Sequence, residues 1–184
     1  MNYFLAQALN NQWANHRLLS TCAQLSEADY AAPRTGFFPS IQATLCHILE
    51  VDRYYLTALE GDRDGQIKDF SETLAFVPLV HQQTQTDQRL VAFCETLRQT
   101  DLARCVDLVR VHGVVRERID RLLLHLFEHQ IHHRGQVHSM LSATHVEPPQ
   151  LDEFFLDCDR PLRKDEDQRL QLDERRVWRA YLPG

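Results

Sequence analysis

The amino-acid sequence predicts an all-α protein built as a four-helix bundle, with a short β-hairpin before the last long helix. Three observations carry this expectation. Apolar residues recur at helical spacing through four long stretches of the chain. Turn punctuation is sparse, with 6 Gly and 7 Pro in 184 residues, which suits long elements joined by few turns rather than many short strands. Hydrophobic residues make up 43% and charged residues 25%, an ordinary globular balance in a chain long enough to close one core without staples. Four long amphipathic helices in one modest domain bury their stripes most simply against one another.

The elements follow in order. Residues 2–25 read as a helix, with Leu5, Leu9, Trp13, His16, Leu19 and Ala23 at helical spacing. Pro33, Gly36 and Pro39 stop any regular element across Ser26–Pro39. Ser40 then suits an N-cap for a second helix from Ile41 to Glu60, and Gly61 suits its C′ position. The stretch 61–69 is a polar loop. A third helix runs from about Pro78, a favoured first-turn residue, to Gln99, on weaker apolar spacing through Val80, Leu90, Val91, Cys94 and Leu97. Alternating Val and Leu around His112-Gly113 in 105–117 predict two short strands about a turn. The last long helix spans Arg118 to Thr144 and stops before Pro148-Pro149. Beyond Asp157 the charges alternate in sign, which reads as a solvated face with a short helix near 165–180. The expected division is a bundle over 1–150 and a charged C-terminal extension over 151–184, packed on or beside it.

Composition narrows the function classes. The net charge of −6 argues against nucleic acid, because phosphate binding draws its affinity from clustered Lys and Arg. No stretch approaches the apolar length of a membrane span, and MNYFLAQALNNQW lacks the basic and apolar regions of a secretory signal. The cysteines Cys22, Cys46, Cys94, Cys105 and Cys158 are odd in number and widely spaced. Most suit small core hydrophobes, and a reducing cytoplasm fits better than a disulfide framework or thiolate zinc site.

Histidine is abundant, and five of the 10 fall between residues 125 and 138. On a wheel of about 100° per residue, the last helix buries Ile119, Leu122, Leu123, Leu126, Val137, Met140 and Leu141. Measured from Leu126, His133 lies about 20° away and His129 about 60°, while His125, His132 and His138 lie at about 100–120°. The wheel therefore turns His129 and His133 toward the core as an i, i+4 pair. Two neutral imidazoles one turn apart suit a divalent ion such as zinc, nickel or copper. Further ligands in a bundle come from facing helices. His16 on the first helix, His47 on the second, and the carboxylates Glu50 and Glu128 are all candidates, and the wheel does not separate His47 from His16. Trp13, Phe37 and Phe38 read as core residues. Arg134, Gly135 and Gln136 read as supports of the His pair or as packing residues, Gly135 by letting a helix approach closely.

Three segments resemble the DinB/YfiT-like family of proposed metalloenzymes: N-x-W-A-N at Asn11–Asn15, GFFPSIQATLCHILEVDRYY at 36–55, and HQIHHRGQVHSML at 129–141, close to the family's H-x-x-H-H-R-G-Q. The resemblance covers about residues 3–145 and implies a four-helix bundle, a homodimer, and a metal triad of His47, His129 and His133, with His132 in a flanking role. Three imidazoles leave coordination positions open, as in a catalytic rather than a structural site. The resemblance therefore implies a divalent-metal enzyme, with Zn or Ni as the ion and a small-molecule substrate. The leading expectation is a thiol S-transferase using a low-molecular-weight thiol. The alternatives are a non-enzymatic, stress-related metal-binding protein and a metal-dependent hydrolase. Hydrolysis needs a general acid or base, for which Glu50, Asp52 and Glu128 are the candidates.

Overall fold

The computed structural model describes residues 3–62, 65–67, 73–172 and 174–178. Among these residues the long helices are α1 (Tyr3–Cys22), α3 (Ile41–Leu59), α4 (Phe76–Thr96) and α5 (Ile119–Leu141). Short helices α2 (Glu27–Ala31), α6 (Lys164–Arg169) and α7 (Glu174–Trp178) flank them, and strands β1 (Cys105–Arg110) and β2 (Gly113–Arg118) form a hairpin before α5. The bundle and the hairpin are as the sequence predicts.

Helix ends follow capping chemistry. The Ser40 hydroxyl accepts from the Ala43 amide at 3.0 Å and starts α3. Gly61 adopts a φ of +82° just beyond the helix end, a conformation favourable to glycine. Helix α4 begins two residues before Pro78, which sits in the first turn where its missing N–H is not needed. The prolines do not empty the 26–39 stretch of structure. Ser26 accepts from the Asp29 amide at 3.1 Å and caps α2 ahead of them. The polar loop expected over 61–69 falls partly outside the described residues.

In the hairpin, Val111 and His112 bridge the Arg110–Gly113 pair, and Gly113 takes a φ of +122°. It is tied to the bundle through buried Leu108 and through Tyr54, whose hydroxyl donates to the Val109 carbonyl at 2.8 Å.

Helices α1, α4, α3 and α5 pack in a ring, each against the next. The core has two apolar halves. One joins Leu5–Ala14 of α1 and Ile119–Phe127 of α5 to Tyr55–Leu59 of α3 and Leu90–Cys94 of α4. The other joins Leu18–Cys22 and Val137–Leu141 to Ile41–Ile48 and Leu79. Helices α1 and α5 therefore run one way, and α3 and α4 the other. Between the halves, every long helix contributes buried polar side chains: Asn11 and Asn15, Asp52, Gln83 and Asp87, Gln130 and Arg134.

The segment after α5 folds back on α1. Arg17 donates to Glu153 at 2.7 Å, to Glu166 at 2.9 Å, and to the carbonyls of Gln150 and Leu162 at 3.1 and 2.8 Å. Its guanidinium also lies 4.5 Å from the Trp13 ring centroid. No helix among the described residues is long and apolar enough to cross a membrane.

Candidate metal centre

The i, i+4 spacing on α5 and the facing turn of α3 bring His129, His133 and His47 into one cluster. The Nε2 atoms of His47 and His129 lie 3.1 Å apart. The ring centroids of His129 and His133 are 4.3 Å apart, and those of His47 and His133 4.8 Å. One potential ligand atom from each of the three falls within 4.8 Å of the others, in the one such group of three or more among the described residues.

Two imidazole nitrogens bound to one tetrahedral ion at zinc distances sit about 3.3 Å apart. The His47–His129 approach is close to that separation, and without an ion the same distance is that of a ring N–H···N hydrogen bond. His133 Nδ1 lies 2.8 Å from Gln136 Oε1, an acceptor only, so Nδ1 carries the proton and the Nε2 lone pair is free. The Gln136 amide in turn donates to His132 Nε2 at 3.0 Å. Phe38 walls the cluster, with its ring 4.3 Å from His47 and 5.5 Å from His133.

The electrostatics keep these rings neutral. Burial, and then the neighbouring His133, His47, His125 and His132, push His129 down to about 3. Burial is also the main cause that lowers His47 and His133. Neutral imidazoles are the ligating form. The residues present therefore fit a divalent ion of the zinc–nickel–copper type: nitrogen donors, available lone pairs and no protein anion among them.

The other sequence candidates lie elsewhere. His16 lines a cavity between α1 and α4. His125 packs edge-on against Tyr55, 6.3 Å from the His129 ring, and exposed His132 flanks His133. Glu50 and exposed Glu128 stand outside the cluster. Two packing expectations are corrected. Phe37 is 79% exposed and Phe38 only half-buried, because both sit on the loop over the site rather than within a helix stripe. A Cβ on Gly135 would meet nothing within 4 Å, so no element among the described residues uses that glycine for close approach.

Asp52 belongs to the polar layer beside the cluster. Arg134, 5% exposed, donates through Nη1 to the side-chain oxygens of Asn11, Asn15 and Gln130. The Asn11 and Asn15 amides donate to Asp87 Oδ1 at 3.3 and 2.9 Å, and the Gln130 amide donates to Asp52 Oδ2. Gln83 donates to both carboxylates, at 2.9 and 3.1 Å. The Asn and Gln130 amides thus bridge the guanidinium to the two acids with their dipoles aligned, which leaves one oxygen of each acid, Asp52 Oδ1 and Asp87 Oδ2, without a partner among the described residues. Gln130 and Arg134 each follow a cluster histidine by one position, so the layer fixes the rotation of α5 that brings His129 and His133 to His47.

The sequence signature of the DinB family matches residues 1–167. The chain belongs to the DinB family. Among similar proteins, the DinB protein of Bacillus subtilis (strain 168) is 23% identical over 144 residues, spanning 71% of this chain and 80% of that one. An uncharacterized protein of the same organism, YizA, is 28% identical over 131 residues, spanning 70% and 77%. Solved DinB-like proteins share the fold. One from B. subtilis (YjoA) aligns with a TM-score of 0.60 at 22% identity, over 79% of this chain and 96% of that one. One from Bacillus cereus aligns with a TM-score of 0.55 at 14% identity, over 75% and 90%. In this DinB-family chain the bundle presents three histidines at the level of its polar layer.

Proposed function

We propose that His47, His129 and His133 hold one divalent ion, zinc or nickel, and that the protein is a metal-dependent enzyme acting on a small molecule, with transfer of a low-molecular-weight thiol as its reaction class. The observation that carries the metal reading is the convergence of three neutral imidazoles, with no fourth His, Cys, Asp or Glu in the group among the described residues. A divalent ion held this way supplies Lewis-acid activation of a thiol or water in the positions the protein leaves open. Gln136 keeps His133 in the ligating tautomer, and the Phe38 ring covers one side of the cluster against water.

Thiol transfer rests on the family resemblance and on the absence of a carboxylate in the group. Hydrolysis is the weaker reading, because it asks for a general acid or base beside the ion. Asp52 is engaged in the polar layer, and Glu50 and Glu128 lie outside the group. The test is visible spectroscopy of the cobalt(II)-loaded protein titrated with small cellular thiols. A thiol that shifts the cobalt bands saturably supports transfer. A cobalt spectrum indifferent to every thiol, in protein that binds the metal, leaves a metal-binding protein without this chemistry.

A further inference from the structure

Asp87 accepts all its hydrogen bonds on one oxygen. Asn11, Asn15 and Gln83 converge on Oδ1, while Oδ2 has no partner among the described residues. The residue is only 4% exposed, yet Oδ2 is not sealed from solvent as Asp52 Oδ1 is. Asp87 lines a cavity of about 230 Å³ between α1 and α4, under Leu170 of the C-terminal segment. The apolar wall is formed by Leu19, Phe76 and Val80, and the cavity also carries the polar groups of Gln12, His16, Ser20, Thr84 and Gln88. Arg134 reaches Asp87 only through the asparagine amides, so the guanidinium does not cover the free oxygen.

We propose that this cavity is a second ligand site, which takes a small alkyl- or arylammonium ion. The ammonium donates to Asp87 Oδ2, and the apolar body lies against Leu19, Phe76 and Val80. A nearly buried carboxylate with one fully engaged and one unengaged oxygen is best completed by a charged donor. His16 does not compete for that role. Burial and the nearby Arg169 hold it below the usual histidine range against the opposing pull of Glu166, which leaves a neutral ring able to accept. Thr84 donates its hydroxyl to the Val80 carbonyl at 2.8 Å and keeps its lone pairs for the ligand. The cavity and the histidine cluster share no lining residue, so this site stands or falls apart from the metal reading.

Calorimetric titration of the full chain in an amine-free buffer at about pH 8.5, above the value of about 7 to which burial pushes Asp87, tests it, with n-butylammonium and 2-phenylethylammonium as probes and n-butanol and butyrate as controls. The expected result is saturable one-to-one binding of an ammonium, with both controls weaker by about tenfold or more, the effect of one charge-assisted contact. Asp87→Asn keeps the Oδ1 acceptor and removes the charge, and is expected to lose about the same factor. Thr84→Trp, at an exposed position on α4, fills the cavity without touching the polar layer and is expected to abolish binding. It decides the matter should Asp87→Asn not fold. The proposal is overturned by no saturable binding of either ammonium up to about 50 mM. Butanol binding as tightly as butylammonium, or Thr84→Trp binding like wild type, overturns it equally.

Discussion

Gln136 sets the state of His133, since its carbonyl oxygen lies 2.8 Å from Nδ1 and fixes which nitrogen is free. Gln136→Leu removes that acceptor and is expected to weaken zinc binding by about 10–100-fold in a chelator competition. An unchanged affinity would show that the tautomer is set elsewhere. Arg134 carries the opposite kind of weight. Arg134→Met leaves buried Asp52 and Asp87 without their cation and is expected to cost about 3–5 kcal/mol in denaturant unfolding. Asp87 adds a pH signature. Burial pushes it up to about 7, while the amides of Gln83 and Asn15 and the charge of Arg134 act in opposition. Because the native state then binds a proton that the unfolded chain has released, wild type loses stability relative to Asp87→Asn as pH rises from about 4 to about 7, and the difference is flat above that. A melting-temperature difference that ignores pH over this window would contradict the assignment. These residues were only partly legible beforehand. The wheel turns His129 and His133 inward from spacing alone, but His47 and His16 occupy equivalent stripes on their helices, and only the family resemblance chooses between them.

At the level of elements, α3 depends on its start. Ser40 Oγ caps the Ala43 amide one turn before His47 comes into line. Ser40→Ala is expected to cost about 1 kcal/mol in thermal or chemical unfolding. A loss below a few tenths would show that packing alone holds the helix start. Helix α4 explains its own weak periodicity. Its inward face carries Gln83, Thr86 and Asp87 among Leu79, Leu90, Val91 and Cys94, so an apolar wheel blurs where the core turns polar. The polar layer was hidden for the same reason: its members lie on four separate helices, and no local pattern marks Asn11, Asp52 and Asp87 as partners. Helix α2 was hidden by the prolines after it, although Ser26 is a legible cap.

In the whole molecule, the bundle gathers its histidine cluster and its polar layer at its waist. Apolar contacts at the two ends of the bundle are non-directional and set the relative slide and rotation of the helices only through shape, whereas the hydrogen-bonded layer of Asn, Gln, Asp and Arg has one register. That register brings an α3 histidine to two α5 histidines. The C-terminal segment is tied on by Arg17, with its acceptors spread from Gln150 to Glu166. Arg17→Ala is expected to raise amide exchange across 150–170 while the long helices keep their protection. Equal loosening of α5 would mean that the segment is integral to the bundle. The measurement that bears most directly on the metal centre is the zinc and nickel content of the purified protein beside its His47→Ala and His16→Ala variants. The proposed site predicts about one equivalent in wild type and in His16→Ala, and little in His47→Ala, as a three-imidazole site loses most of its affinity with one ligand. A wild-type protein that holds no metal and refuses added zinc and nickel, or a His47→Ala variant as full as its parent, would contradict it.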